Sequence, residues 1–482
     1  MLYILAFLFP MAAGILAATV PAKNDAWRRG YYIAVLLLSD LCAAGAMLQG
    51  GTTVICAFSD TVRLSFSMDG FGRLCQCVVL FLYTVVCFYA FEYMKKEEQP
   101  NRFFAFYFVS MGAMNAVCMA DNLVTLYFCF ELATLSTVPL VLHELSRDAI
   151  AAGLKYLFYS IGGALLGLFA IFFVYEYAAG APTFVLGGSL DKTALAGHES
   201  VFLAAMFVGI IGFGTKAGMY PMHGWLPAAH PIAPAPASAL LSGIIAKAGV
   251  IAVIRLVYYS VGAEVLAGTW VQTAWMILAL ITIFMGSMMA YKEKIIKKRL
   301  AYSTVSQISY IMLSLSFLSV EGLTGGMLHV MAHAAAKGCL FLVAGIFIYK
   351  WDIRQVADLK GIGQKMPVTL WCFMISALSL VGIPPMGGFT SKWVIAETAV
   401  TSGIPVFQFL APAVLLLSAL LTAGYLFPIV IDGFFPGHGA EVKAQKKDEA
   451  YAWMLVPLIL LCAAGLFVGL FGHALVCHVF GL

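Results

Sequence analysis

Long apolar stretches, separated by short polar connections, follow one another along the whole chain. A helix needs about 20 predominantly apolar residues to cross a bilayer, and on that length the pattern predicts fourteen spans and an all-α polytopic membrane protein. The predicted spans are 2–20, 31–48, 71–92, 103–120, 122–142, 152–177, 200–229, 236–259, 271–290, 300–317, 323–349, 367–402, 406–431 and 451–472.

Two predicted spans, 200–229 and 367–402, are too long for one straight helix and contain Pro/Gly breaks at Tyr220–Gly224 and Gly382–Gly388. Proline removes a backbone donor, and freed carbonyls are tolerated at membrane depth only where they line protein or water. Each break falls in the fourth span of a set of five. Because adjacent repeats with an odd number of spans enter the membrane from opposite sides, the two sets are predicted to be inverted repeats. Paired breaks in inverted repeats indicate an ion or substrate path near the midplane. The predicted divisions are a three-helix segment 1–100, repeats at 101–260 and 261–432, and a cytoplasmic loop with the last span at 433–482.

Composition agrees with this fold class. Of the 482 residues, 62% are hydrophobic and 11% are charged, whereas soluble domains carry about 25% charged residues. The longest polar gap, Asp432 to Glu449, is too short to fold alone. No basic residue precedes the first span, so we expect a retained helix rather than a cleaved signal peptide.

Lysine and arginine alternate between the two sets of connections. The positive-inside rule places the basic set in the cytoplasm, so both termini are expected outside. The spread of a net charge of +4 over short loops gives no reason to expect a nucleic-acid partner. The basic set contains Lys23, Arg28, Arg29, Lys95, Lys96, Arg102, Arg147, the run 292–299, Lys350, Arg354, Lys360, Lys365, Lys443, Lys446 and Lys447.

Several ionisable side chains lie inside the apolar segments, where a charge costs roughly 2.5–3.5 kcal/mol on insertion scales and usually marks an ion pathway. Burial disfavours a charged lysine, so such a lysine can pass on a proton, and imidazoles suit the same task. A row of cations is a poor site for an organic solute. The candidate residues are Glu131, Lys216, Lys247, His329, His333, Lys337 and Lys392, of which His329, His333 and Lys337 share one helix face.

Other polar residues admit two interpretations. Lys155 is either a snorkelling anchor or a modulator of Glu131. His223 and His230 flank the first break and either admit protons from the cytoplasm or cap the broken helix ends. Glu397 either neutralises Lys392 or leaves it unpaired for release to the outer face. A cluster of polar side chains at the start of the tenth span either holds ordered water between Lys247 and Lys337 or forms hydrogen bonds to other helices. The cluster comprises Ser303, Thr304, Ser306 and Gln307.

Long sequence blocks resemble the antiporter-like subunits of respiratory complex I, of multisubunit Na+/H+ antiporters and of membrane-bound [NiFe] hydrogenases and formate hydrogenlyase. The resemblance implies that Glu131 pairs with Lys216 as a switch, that Lys247 and the His/Lys helix relay the proton, and that Lys392 is the exit. The blocks are Asn122–Leu132, Lys216–Arg255, Lys298–Tyr310, His329–Gly345 and Gly382–Lys392.

The block Trp225–Pro231 departs from the common complex I pattern, because Ala228-Ala229-His230 stands where an Asp often follows the proline. The sequence of this segment is more similar to that of the hydrogenase and formate hydrogenlyase relatives. The chain also stops soon after its last span, so we expect it to lack the long lateral helix of the most distal complex I subunit. The implied partners are further antiporter-like subunits, a quinone- or hydrogenase-type anchor subunit, soluble redox subunits and lipid, in a prokaryotic cytoplasmic membrane.

The leading hypothesis is therefore an ion-translocating subunit, for H+ and with Na+ also open, that has no catalytic centre of its own. We expect no cofactor or metal in this chain, since no motif binds NAD, flavin or a quinone headgroup and the eleven cysteines lack zinc or iron–sulfur spacing. A free-standing secondary transporter is the alternative. An intramembrane enzyme would need a nucleophile–base set or an HExxH motif, and the sequence contains neither.

Overall fold

The computed structural model describes residues 1–19, 25–59, 61–437 and 448–480. Helices make up most of this part of the chain. Four basic residues assigned to cytoplasmic connections, Lys23, Lys443, Lys446 and Lys447, lie outside the described residues.

The helices from the N-terminus to the middle of the chain include most of the first five-span set. They are α1 (Leu2–Thr19), α2 (Asp25–Leu48), α3 (Gly70–Tyr93), α4 (Pro100–Met119), α5 (Leu123–Val141), α6 (Arg147–Glu176), α7 (Lys192–Leu195), α8 (Glu199–Ala217), α9 (Leu226–Ile232), α10 (Ala235–Leu240) and α11 (Lys247–Ile254). Two π-helical segments, Leu241–Ile245 and Arg255–Val261, join α10 to α11 and continue α11.

The remaining helices cover the second set and the last span. They are α12 (Ala263–Leu266), α13 (Trp270–Lys292), α14 (Ile296–Ser316), α15 (Val320–Trp351), α16 (Ile362–Lys365), α17 (Pro367–Val381), α18 (Gly387–Thr401), α19 (Phe407–Phe434) and α20 (Ala452–Phe480), with a 3-10 turn at Val356–Leu359. A small antiparallel hairpin of β1 (Thr53–Ala57) and β2 (Arg63–Phe66) connects α2 to α3. The hydrophobic pattern did not predict this hairpin.

The polytopic all-α fold is confirmed, and the count of fourteen spans is approximate. Among the described residues, twelve helices are long and apolar enough to cross a membrane. The predicted span at 300–317 corresponds to α14, whose basic start and many hydroxyl side chains lower its hydropathy. The predicted span at 367–402 is two short helices, α17 and α18, of 15 residues each.

Both predicted breaks are present. Helix α8 ends at Ala217, where Gly218 takes a left-handed conformation with φ 79°, and α9 begins at Leu226. Helix α17 ends before Gly382, whose φ is 96°, and α18 begins at Gly387. Glycine adopts these angles without the steric cost of a Cβ atom, so the sequence at each break permits a sharp helix end.

The described chain divides into two compact units. The first unit contains residues 1–81, 99–225 and 245–277, and the second contains 82–98, 226–244 and 278–482 where described. Of the candidate residues, the first unit holds Glu131, Lys155, Lys216, His223 and Lys247. The second unit holds His230, His329, His333, Lys337 and Lys392.

An ion pair between a buried arginine and a half-buried aspartate anchors the last π-helical segment within the first unit. Arg255 is 3% exposed, and its two terminal nitrogens donate to the two carboxylate oxygens of Asp69 at 2.6 and 2.7 Å. The guanidinium also lies 4.5–4.7 Å from the ring centroids of Phe71, Phe184 and Tyr259. Bidentate geometry and stacking are the features that make arginine suitable for buried pairs.

We expect Asp69→Asn to destabilise the first unit. The substitution leaves a buried guanidinium without its counter-charge, and because the Asp69 side chain is 35% exposed the cost should be about 2–3 kcal/mol, below that of breaking a fully buried pair. Thermal unfolding of the purified protein in detergent measures the effect. Glu264→Gln is the matched control, because it breaks the solvent-exposed Lys192–Glu264 pair at 2.6 Å and should change stability little. Equal shifts in the two variants would contradict the expectation.

Candidate ion-translocation site

Lys216 lies in the last turn of α8 and is 1% exposed. Its ammonium donates to the Thr134 hydroxyl at 2.6 Å and to the Tyr156 hydroxyl at 2.9 Å. The rings of Phe130 and Tyr156 face the same nitrogen, with centroids at 5.4 and 4.9 Å. Neutral hydroxyls and aromatic faces therefore hold this lysine.

Glu131 is half-buried on α5, one turn before Thr134. No ion pair joins it to Lys216 in the described part of the chain, although Lys216 bonds to Thr134, which lies three residues after Glu131 on the same helix. The two predicted partners are thus neighbours, and the contact that the resemblance implies is not made among the described residues.

Thr134 and Tyr156 are site residues that the sequence interpretation missed. Thr134 lies three residues after Glu131, a spacing that places both on one helix face, so a signal for it existed. Tyr156 comes from α6, whose middle carries no charge, and hydropathy gives no reason to select it. A further hydrogen bond of 2.7 Å joins the Tyr156 and Thr137 hydroxyls and fixes the ring.

The first break lies directly beside the lysine site. Trp225 donates its ring N–H to the Thr215 carbonyl at 2.8 Å, which also accepts the backbone N–H of Gly218 at 3.0 Å, so two donors satisfy this carbonyl at the helix end. The half-buried His223 ring stacks on Tyr220 at 6.0 Å. Lys155 is exposed on α6, and its side chain passes close to Gly224.

Lys247 is fully buried at the start of α11, just after the π-helical segment Leu241–Ile245. A Cβ atom at Gly249 would lie 2.5 Å from the Phe213 carbonyl oxygen and 3.0 Å from Cβ of Lys216. Helix α11 therefore packs against α8 at the level of Lys216, and only glycine fits at the contact. A π-turn widens a helix locally and is frequent at functional sites; no residue pattern in the sequence predicted it.

The predicted stripe on α15 is buried in the second unit. His329, His333 and Lys337 are each at most 1% exposed. The two imidazole centroids are 6.1 Å apart, Nδ1 of His329 hydrogen-bonds to the Ser391 hydroxyl at 2.9 Å, and Lys337 donates to the Leu300 carbonyl at 3.0 Å. The stripe thus connects to α14 at one end and to α18 at the other.

Lys392 lies at the second break and is partly buried. Its ammonium donates to the carbonyls of Leu380 at 2.5 Å and Val381 at 3.2 Å, the last carbonyls of α17, where the negative end of the helix dipole favours a cation. The Tyr310 ring centroid lies 4.8 Å from the same nitrogen and 5.5 Å from the His329 ring. Among the described residues, no ion pair joins Lys392 to Glu397, and carbonyls and a π face take the place of a carboxylate.

His230 is fully buried on α9 in the second unit. Its ring stacks on Phe341 at 4.6 Å, and the Ser238 hydroxyl donates to its backbone carbonyl at 3.0 Å. The structure therefore places His230 in packed protein and His223 within the break itself.

Most of the predicted cluster of polar side chains on α14 forms hydrogen bonds to other helical segments. Ser303 bonds to the Tyr425 hydroxyl at 2.6 Å, Thr304 to Ser242 at 2.7 Å, and Ser306 to Ser287 at 2.8 Å. Gln307 differs from these three residues. It is fully buried, and neither amide atom has a hydrogen-bond partner among the described residues. Buried amides of this kind usually bind ordered water.

Comparison with known proteins identifies the family to which this helical membrane chain with buried charged residues belongs. The family model described as NADH:quinone oxidoreductase/Mrp antiporter, TM, matches residues 120–421, and the model for the N-terminus of complex I chain 5 matches residues 58–104. The first match covers more than half of the chain. The chain therefore belongs to the NADH:quinone oxidoreductase/Mrp antiporter transmembrane family, and it is an antiporter-like, ion-translocating subunit of a multisubunit membrane complex.

Similar proteins come from three kinds of complex. NADH-quinone oxidoreductase subunit N of Desulforudis audaxviator is 29% identical over 99% of this chain and 97% of its own length. Hydrogenase-4 component B of Escherichia coli is 29% identical, over 88% of this chain and 65% of its own length. Na(+)/H(+) antiporter subunit A1 of Staphylococcus aureus is 29% identical, over 84% of this chain and 52% of its own length. The chain thus spans only about half to two-thirds of the latter two relatives.

Two solved structures share the fold. A chain of the membrane-bound sulfane sulfur reductase, an archaeal respiratory membrane complex, superposes with a TM-score of 0.84 at 19% identity and covers 98% of this chain and 96% of its own. A chain of the Mrp complex from Dietzia sp. DQ12-45-1b gives 0.80 at 20% identity with the same coverage.

We expect the Tyr310 ring to matter more than its hydroxyl. Tyr310→Phe keeps the π face beside Lys392 and loses the hydrogen bond to the Leu415 carbonyl at 3.2 Å, whereas Tyr310→Leu removes the face. A cation–π contact contributes about 1 kcal/mol, so ion translocation by the assembled complex should fall about five-fold in the Leu variant and stay near wild type in the Phe variant. Fluorescence quenching of a pH-sensitive dye in inverted vesicles measures the rate. Equal rates in the two variants would exclude a role for the ring.

Proposed function

We propose that this subunit translocates protons through Glu131, Lys216, Lys247, His329, His333, Lys337 and Lys392, with partner subunits as the source of energy. The single observation that carries the proposal is the environment of Lys216. A fully buried ammonium rests on two hydroxyls beside a carboxylate that it does not touch. Such a lysine has a second position available, against Glu131.

The two positions of Lys216 differ in charge compensation. Against Glu131, the ammonium and the carboxylate stabilise each other, so both remain charged. On Thr134 and Tyr156 the ammonium has only neutral partners, and the proton is released more readily. Two arrangements that differ by a few kcal/mol form an element that a partner subunit can bias.

The second unit supplies the later steps of the route. The buried stripe of His329, His333 and Lys337 lies on one helix face, and the His329–Ser391 hydrogen bond leads to the helix that carries Lys392. A proton that reaches Lys392 meets carbonyl oxygens and no carboxylate, so nothing in its immediate surroundings fixes the charge permanently. With the basic connections in the cytoplasm and both termini outside, release from Lys392 is to the outer face.

The ion that fits the route best is H+. A Na+ path needs carboxylate and carbonyl oxygens, whereas six of the seven proposed route residues are imidazoles or lysines. We propose that the parent complex is an ion-translocating oxidoreductase of the hydrogenase or dehydrogenase kind or a multisubunit antiporter, and the Trp225–Pro231 segment supports the hydrogenase kind among these. Further antiporter-like subunits and an anchor subunit are the proposed partners, together with soluble redox subunits if the complex is an oxidoreductase. Lys155, His223 and His230 are proposed entry or modulating residues.

Loss of either member of the switch should stop pumping. In Lys216→Ala and Glu131→Gln variants, we expect ion translocation by the assembled complex to fall by at least about ten-fold, since a charge that no longer moves cannot bias the next group. The redox cofactor content of the complex should stay unchanged. Lys192→Ala is the control, because Lys192 is exposed and pairs only with Glu264. Normal pumping in both switch variants would refute the pair.

Lys392→Met tests the exit. Methionine has a similar length and keeps the packing, but it cannot carry a proton past the carbonyls of Leu380 and Val381. We expect an assembled complex with normal subunit content and blocked translocation, measured in the same vesicles. Lys294→Met, a change in the exposed cytoplasmic connection, serves as the control. Proton transfer at the wild-type rate in Lys392→Met would place the exit elsewhere.

A further inference from the structure

A cavity of about 370 Å³ opens at one end of the second unit, where α15 begins and where α18 and α20 end. Two valines and seven polar side chains line this cavity. The polar side chains include Glu321, Thr324, Glu397, Thr398, His473 and Cys477.

The polar groups of the cavity are accessible to water and can exchange protons with it. Glu321, Glu397 and His473 are exposed, and neither glutamate forms an ion pair in the described part of the chain. The hydroxyls of Thr324 and Thr398 donate to carbonyls of their own helices at 2.9 and 2.8 Å. Their oxygen lone pairs therefore remain available to accept hydrogen bonds from water.

The same two helices connect the cavity to the proposed route. On α15, Thr324 precedes His329 by five residues, and on α18, Glu397 follows Lys392 by five residues. Each interval corresponds to about 7.5 Å along a helix. The His329–Ser391 hydrogen bond joins the two helices at the inner end of this interval. The cavity thus begins between one and two turns beyond the last two groups of the route, and because five residues also rotate the side-chain direction by about 140°, water in the cavity has to bridge this interval.

We infer that this cavity is the outer mouth of the proton route and that Glu397 receives the proton released by Lys392. Glu321 and His473 then exchange it with bulk water. The inference rests on the proposed function and extends it, because it assigns the release step to side chains that stand outside the row of buried charges. Only a proton moves: the lysine ammonium becomes an amine and the carboxylate becomes a carboxylic acid, which then loses the proton to water or to the neighbouring imidazole.

Cys477 provides a test with the native chain. It is half-buried in the mouth, with its sulfur 3.7 Å from Nδ1 of His473. The assembled complex in right-side-out vesicles is treated with a membrane-impermeant, positively charged methanethiosulfonate. We expect modification of Cys477, detected by mass spectrometry, and a several-fold slower translocation. Cys477→Ser should be insensitive, which separates this thiol from the exposed Cys56 and Cys77. No modification from the outer side, or full modification with unchanged translocation, would overturn the inference.

Glu397→Gln tests the acceptor directly. The amide cannot take up the proton, and we expect translocation to fall about ten-fold, less than the 10²–10⁴ typical of a sole proton-transfer group, because Glu321 and His473 remain. A small permeating buffer such as imidazole on the outer side should restore the rate, which a merely structural role of Glu397 would not allow. Glu264→Gln is the control. An unchanged rate, or a loss that imidazole does not restore, would refute the role.

The results for Lys392→Met and Glu397→Gln together distinguish an error in the proposed route from an error in the assignment of this cavity. If Lys392→Met pumps normally, the proposed exit itself is wrong, whatever Glu397→Gln does. If Lys392→Met blocks translocation and Glu397→Gln leaves it unchanged, the exit stands and only the assignment of this cavity is wrong.

Discussion

An ammonium group that has lost its water needs partners from the protein, and the placement of Lys216 and Lys392 depends on this requirement. A full carboxylate partner would fix each charge in one place, because a buried ion pair is costly to separate. The protein supplies weaker partners. Lys216 has two hydroxyls and two aromatic faces, and Lys392 has two carbonyls and one face. Partners of this strength hold a lysine without preventing its deprotonation.

The broken helices explain how such partners become available at membrane depth. An intact helix uses its own carbonyls, and only a helix end leaves several without an internal partner. Helix α17 ends at Val381 and presents the Leu380 and Val381 carbonyls to Lys392, which lies just beyond the break on α18. At the first break, the Thr215 carbonyl accepts from Trp225 and Gly218, and Lys216 bonds to hydroxyls from α5 and α6. The two breaks therefore have lysines with partners of different chemistry beside them.

The sequence predicts the features that are encoded locally. Pro221, Gly224, Gly382 and Pro384 mark the breaks, because the restricted backbone of proline and the greater freedom of glycine act wherever these residues stand. The mid-span charges stand out through their cost in lipid. Tyr156 and Tyr310 gave no such signal, since their value comes from lysines on other helices that only the tertiary fold brings near. The π-turn before Lys247 was equally hidden, because no residue pattern in the sequence predicts it.

The neutral neighbours of the lysines also set what a partner subunit must do. To move Lys216 from its hydroxyls to Glu131 in the proposed switch, a partner has to supply the difference in free energy between the two arrangements, and a full reversal of a 1:99 population takes about 5.5 kcal/mol. Glu131 is half-buried, so its carboxylate has an accessible side, and its pair with Lys216 is less costly to separate than a fully buried one. An approaching charge from another subunit can therefore change the attraction of Glu131 for Lys216 without a large movement of the backbone.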